Sequence, residues 1–165
     1  VFDPTGNEKL SEHFTLDEMT KSSTAVRLSI DNTPDIQSSY NLKSLCEDVL
    51  EPIRVHYNIP FSPSSGYRSK ELNKAIGGSP NSQHCEGKAV DFEILGVDNL
   101  AVATYVISSG IPFDQLILEY YDADVPNSGW VHISLNYVFI GESKNRQEVL
   151  AFDGTSYTSD IPFSP

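Results

Sequence analysis

Leu116-Ile117-Leu118-Glu119-Tyr120-Tyr121 and Trp130-Val131-His132-Ile133-Ser134-Leu135, joined by a loop that contains Pro126-Asn127-Ser128-Gly129, decide the class of fold. Both runs are rich in aliphatic and aromatic residues and are bounded by turn formers, so each reads as a strand. The loop between them, longer than a tight turn, still lets the two strands lie side by side, antiparallel. Upstream, Ala89-Val90-Asp91-Phe92-Glu93-Ile94 alternates as a third strand packed on one face. Phe61 to Ser65 reads as a further short strand, and Tyr137 to Ile140 and Glu148 to Phe152 as edge structure.

Helical segments lie among these strands. Leu42, Leu45, Cys46, Val49, Leu50 and Ile53 form one apolar stripe, while Lys43, Glu47, Asp48 and Glu51 stay wet and Pro52 bends or shortens the last turn. Asp98 caps a helix from Asn99 to Ser109 that Gly110 stops, with Leu100, Ala103, Val106 and Ile107 available for packing. Ser69 caps a shorter helix containing Leu72, Ala75 and Ile76, ended by Gly77-Gly78. Near the start, Thr15 caps a short helix carrying Leu16 and Met19, and the polar stretch from Asn32 to Ser39 reads as a connection. Helices mixed with adjacent antiparallel strands predict a single α+β domain over residues 1–165, with a small antiparallel sheet and with 1–9 and 153–165 peripheral. A chain of 165 residues is long enough to build such a core without disulfide staples.

Charge and composition narrow the functional classes. Eleven Lys and Arg against 23 Asp and Glu give a net charge of −12, which opposes nonspecific binding to nucleic acid or anionic membranes. No stretch approaches the roughly 20 apolar residues of a transmembrane span. Two cysteines, Cys46 and Cys85, do not suggest a disulfide scaffold: Cys46 lies in the apolar stripe, and Cys85 reads as structural.

The densest polar segment, Ser79 to Lys88, runs directly into the strand that carries Asp91. His84 and Asp91 are seven residues apart with Gly87 between them, so a loop imidazole and a strand carboxylate can converge. His132 stands in a different strand. Two imidazoles and one carboxylate would leave a catalytic zinc an open position for water. By residue type and spacing alone, histidines satisfied by ordinary hydrogen bonds are the competing reading.

Ser65-Gly66-Tyr67-Arg68-Ser69, Leu72-Asn73, Gly77-Gly78, the run from Ser79 to Phe92 that includes Ser82-Gln83-His84-Cys85-Glu86-Gly87, Phe113-Asp114-Gln115-Leu116-Ile117-Leu118-Glu119 and Trp130-Val131-His132-Ile133-Ser134 together resemble the M15 zinc peptidases. That group includes D-alanyl-D-alanine carboxypeptidases and phage cell-wall peptidases. The resemblance implies Zn2+ held by His84, Asp91 and His132, a peptidoglycan stem peptide as substrate, and a place in the bacterial cell envelope or with a phage. It also favours Ser82 as a substrate contact, with Gln83 beside it, and Arg68 as the group that fixes a peptide carboxylate or assists an oxyanion. Many relatives carry a catalytic glutamate three residues before the last metal histidine; here that position is Gly129. The acidic and histidine pair of another branch is likewise absent, since Gly129 and Trp130 stand there. Glu119 is then the expected general base, brought to the centre if its strand pairs with that of His132. A noncatalytic metal-stabilised binding or phage structural module is the alternative.

Overall fold

A computed structural model describes residues 8–136 and 144–161. In chain order it contains helices α1 (Leu16–Thr20), α2 (Ser23–Leu28), α3 (Ile36–Leu45), α4 (Glu51–Tyr57) and α5 (Lys70–Ala75), then strand β1 (Ala89–Phe92) and helix α6 (Asn99–Ser109). Strands β2 (Gln115–Glu119), β3 (Trp130–Ser134), β4 (Glu148–Phe152) and β5 (Tyr157–Thr158) complete it. A 3-10 turn spans Gln83–Glu86.

Local chemistry sets the helix ends as expected. Thr15 forms a full capping box with Glu18, Ser69 accepts from Leu72 N, and Asp98 accepts from Leu100 N while Gly110 closes α6 in the left-handed region. The helix begins earlier than expected: Asp35 caps α3 at Ser38 N, so half of the stretch from Asn32 to Ser39 is helix and not a connection. Between α3 and α4 the backbone widens into a π-helical turn over Cys46–Leu50, closed by a bond from Glu51 N to the Cys46 carbonyl. Pro52 follows at once. Its ring crowds the preceding turn and it has no N–H to donate, so a wider turn passes it without a break.

The five strands run in the order β1-β3-β2-β4-β5. β3 pairs antiparallel with both β1 and β2, placing His132 opposite Asp91 on one side and Ile117 on the other, with Trp130 opposite Glu119. β4 pairs parallel with β2 and antiparallel with β5, so Glu148 to Phe152 lies inside the sheet and the sheet is mixed. Phe61 to Ser65 is not a strand. Pro60 and Pro63 flank or interrupt it, and only Ser64 and Ser65 bond the backbone of Asp91. Tyr137 to Ile140 lies outside the described residues.

One core joins these elements. Val90, Phe92, Leu116, Leu118, Val131 and Ile133 face it from the sheet; Leu42, Leu45, Cys46, Val49, Leu50 and Ile53 come from the long helix; Val102, Ala103 and Val106 come from α6. Because strand side chains alternate, the opposite face carries Asp91, Ile117, Glu119, Trp130 and His132.

Candidate metal centre

The centre grows from the turn that precedes β1. Ser82 Oγ accepts from His84 N, and Gly87, at φ +68°, ends the turn. A side chain at Gly87 would place Cβ 2.4 Å from the Ser38 carbonyl oxygen, so the turn sits tightly on α3. His84 is thereby buried, and its Nδ1 lies 2.7 Å from the Gly66 carbonyl oxygen. A carbonyl only accepts, so Nδ1 carries the proton and Nε2 presents a lone pair. That nitrogen lies 3.4 Å from Asp91 Oδ1.

From the neighbouring strand, His132 Nδ1 lies 2.8 Å from the same oxygen. His84, Asp91 and His132 each offer one ligand atom, all within 4.8 Å of one another, and among the described residues no other group of three or more His, Cys, Asp or Glu side chains does so. Burial would raise the Asp91 pKa, but His84 and His132 outweigh it and hold the carboxyl well below its usual range. Burial pushes the His84 imidazole down despite the neighbouring carboxylate. The set is thus a neutral imidazole, a carboxylate and a second imidazole. These are donor types that could hold a divalent transition metal and leave it an open position, and the residues present fit zinc.

Glu119 reaches the same spot across the β2–β3 ladder, with Oε1 3.9 Å from His132 Nδ1. Burial first, and the charge of Asp91 second, push its pKa up. Arg68 stands on the other side: NH1 donates to Asn73 Oδ1 at 3.2 Å and NH2 lies 3.8 Å from Asp91 Oδ2. Next to it, a cavity of about 200 Å³ is lined by Lys21, Ser23, Thr24, Ser65 and Tyr67 among others. Gln83 points elsewhere, its Nε2 donating to Asp114 Oδ2 at 3.0 Å. Cys85 is a free thiol outside the ligand set, and burial pushes its pKa up. Trp130, on the same face of β3 as His132, packs against Tyr120 with ring centroids 4.9 Å apart.

Asp114 was not singled out by sequence reasoning. It is a lone acid immediately before the Gln115–Glu119 strand, and the signal that could have found it is its place in the Phe113-to-Glu119 motif.

The sequence model of a family described as Peptidase M15 matches residues 12–134, more than half of the chain and a span that includes His84, Asp91 and His132. No curated protein matches it.

Proposed function

The chain belongs to the M15 peptidase family, a family of metal-dependent peptidases, and from that premise we propose that it hydrolyses a peptide bond in peptidoglycan, one adjoining a D-amino acid. The observation that carries the hydrolytic part of this reading is the convergence of three donor atoms, His84 Nε2, Asp91 Oδ1 and His132 Nδ1, with a separate carboxylate beside them, while the peptidoglycan substrate rests on the family resemblance. Those three side chains would hold zinc, which when bound polarises a scissile carbonyl and makes water acidic enough to attack near neutral pH.

The remaining tasks fall to the chain's own residues. Glu119 Oε1 takes the proton of the attacking water and returns it to the departing amine nitrogen. The hydrogen bond to the Gly66 carbonyl keeps His84 in one tautomer and one orientation. Arg68, held by Asn73, offers its guanidinium to a carboxylate of the stem peptide, and the hydroxyl-lined cavity beside it, which holds Lys21 and no acidic residue, receives that end of the substrate. Ser82 contributes its hydroxyl proton from the rim while its oxygen caps the turn. Gln83, whose carboxamide is engaged by Asp114, is better suited to holding the turn than to touching substrate.

The noncatalytic reading draws on Gly129, which stands where many relatives carry their catalytic glutamate. Both readings are tested together by incubating the zinc-loaded protein with defined stem peptides and weighing the products. Masses that locate one cut beside a D-residue are expected. Glu119→Gln should keep its zinc and its fold and lose roughly 10²–10⁴-fold in turnover, the usual scale of general acid–base assistance. Stoichiometric zinc with no cleavage of any stem peptide would instead favour the binding module, and near-normal turnover of Glu119→Gln would place the base elsewhere.

A further inference from the structure

Asp114 is 2% exposed and lies outside the metal centre, yet it gathers hydrogen bonds from two distant segments. Arg146 N donates to Oδ1 at 2.9 Å, its Nε reaches both oxygens at 3.2 Å, and its NH2 donates to Oδ2 at 2.8 Å. Gln83 Nε2 donates to Oδ2 at 3.0 Å. The backbone of Asp114 is equally engaged: its N–H donates to the Ser134 carbonyl, and its carbonyl accepts from Glu148 N. A carboxylate this buried is costly unless it is paired and fully hydrogen-bonded, and here Arg146 supplies the charge while Gln83 completes the set.

The consequence lies one residue further along the chain. Gln83 begins the turn whose next residue is His84. Its carbonyl accepts from Lys88 N, which leads directly into β1 and Asp91. At the far end of the same turn, Asn41 Nδ2 holds the Glu86 carbonyl at 2.8 Å. The turn is therefore pinned at both ends, by α3 at Glu86 and by the start of β2 at Gln83.

We propose that Asp114 is a positioning residue that acts through Gln83: it fixes the turn carrying His84, with Arg146 as the cation that holds it in place, and so sets how tightly the centre keeps its metal. The proposal rests on the metal reading of His84. Groups that orient ligands from outside the coordination shell commonly govern affinity by 10–100-fold, and one acting through a neighbouring residue belongs at about the lower end of that range.

Zinc affinity, read by competition with a chromophoric chelator, tests it on the unaltered chain, Asp114→Asn, Gln83→Leu and the double variant, with thermal unfolding of the metal-free forms followed in parallel. Gln83→Leu leaves the Asp114–Arg146 pair intact and removes one hydrogen bond to it, so its metal-free form should stay folded and lose less stability than Asp114→Asn while zinc binds about tenfold more weakly. Asp114→Asn should weaken zinc by a similar factor, and the double variant should lose no more than the weaker single one, because both cut the same link. Cobalt-loaded Gln83→Leu should also show a changed visible spectrum, which a loss of stability alone would not produce. Folded single variants with unaltered zinc affinity, or losses that add in the double variant, overturn the proposal while leaving the metal reading intact. Failure of the unaltered chain to bind zinc overturns both.

Discussion

Gly129 shows how one residue limits which side chains can reach the candidate centre. Its φ is +68°, and a Cβ there would lie 1.9 Å from the Glu119 carbonyl oxygen and 2.7 Å from the Tyr120 carbonyl carbon. Asn99 Nδ2 also holds the carbonyls of Ser128 and Gly129, so the backbone has little room to retreat. No side chain, glutamate included, fits where the loop re-enters β3, and the carboxylate that reaches the centre comes from across the ladder. Left-handed backbone costs a non-glycine residue about 1–2 kcal/mol, and forcing extra atoms into a packed site adds about 1–3 kcal/mol. Gly129→Ala should therefore lower the unfolding free energy in urea by at least about 2 kcal/mol. A change within about 0.5 kcal/mol, the scatter of neutral surface substitutions, would show that the loop can yield and that steric exclusion is not why the glutamate is missing. At this scale the candidate ligands were readable because His84, Asp91 and His132 sit in recognisable motifs. Asp114 also stands in a recognisable motif, but its role was not readable, because its partners, Gln83 and Arg146, are distant in sequence and nothing local announces a buried acid.

Among the elements, those whose ends are set by their own residues were legible: α6 between Asp98 and Gly110, α5 after Ser69, α1 after Thr15, and the β2–β3 pair. Those decided by remote partners were not. The Ile36–Tyr40 part of α3 exposes Ile36 and Tyr40 and so shows no apolar stripe of its own, and β4 took a parallel place beside β2 that its local pattern does not encode. Glu51 illustrates such a remote tie. On α4, it accepts from Ser11 Oγ at 2.7 Å and His13 N at 2.6 Å and contacts His13 Nδ1 at 2.8 Å, binding the N-terminal segment to the long helix. Burial alone would raise its pKa, but the Ser11 and His13 hydrogen bonds outweigh it and the folded-state value is lowered. A lowered carboxylate contributes stability that is complete above the ordinary glutamate range and lost as pH falls through the folded-state value. Glu51→Gln should thus be less stable than the unaltered chain at pH 7 by about 1 kcal/mol, the scale of a charge-assisted hydrogen bond partly retained by the amide. Denaturation series at neutral and strongly acidic pH should show that gap closing in acid. A gap that is constant across the series would mean that shape, and not ionisation, is what Glu51 supplies.

At the scale of the whole molecule, the mixed sheet divides the labour: helices cover one face as core, and the other brings His84, Asp91 and His132 together from a turn and two strands. A metal held there ties together segments far apart in the chain, so its binding energy is also folding energy. With free zinc a hundredfold above its dissociation constant, the gain is about 2.7 kcal/mol, which for a domain of this size raises the midpoint of thermal unfolding by about 5–10 °C. A chelator should reverse the shift. The net charge of −12 offers a rival cause, because any dication can screen repulsion among 23 acidic residues and raise stability without a site. The two causes separate cleanly. Magnesium at the same concentration and ionic strength screens as well as zinc does but prefers octahedral oxygen ligands, so it should produce little of the shift. His84→Ala and Asp91→Ala each remove one donor and change the overall charge little, so zinc should stabilise neither. An equal shift with magnesium, or a full zinc shift in folded Asp91→Ala, would mean that the stabilisation comes from the acidic surface and that the three side chains are not the residues that hold the metal.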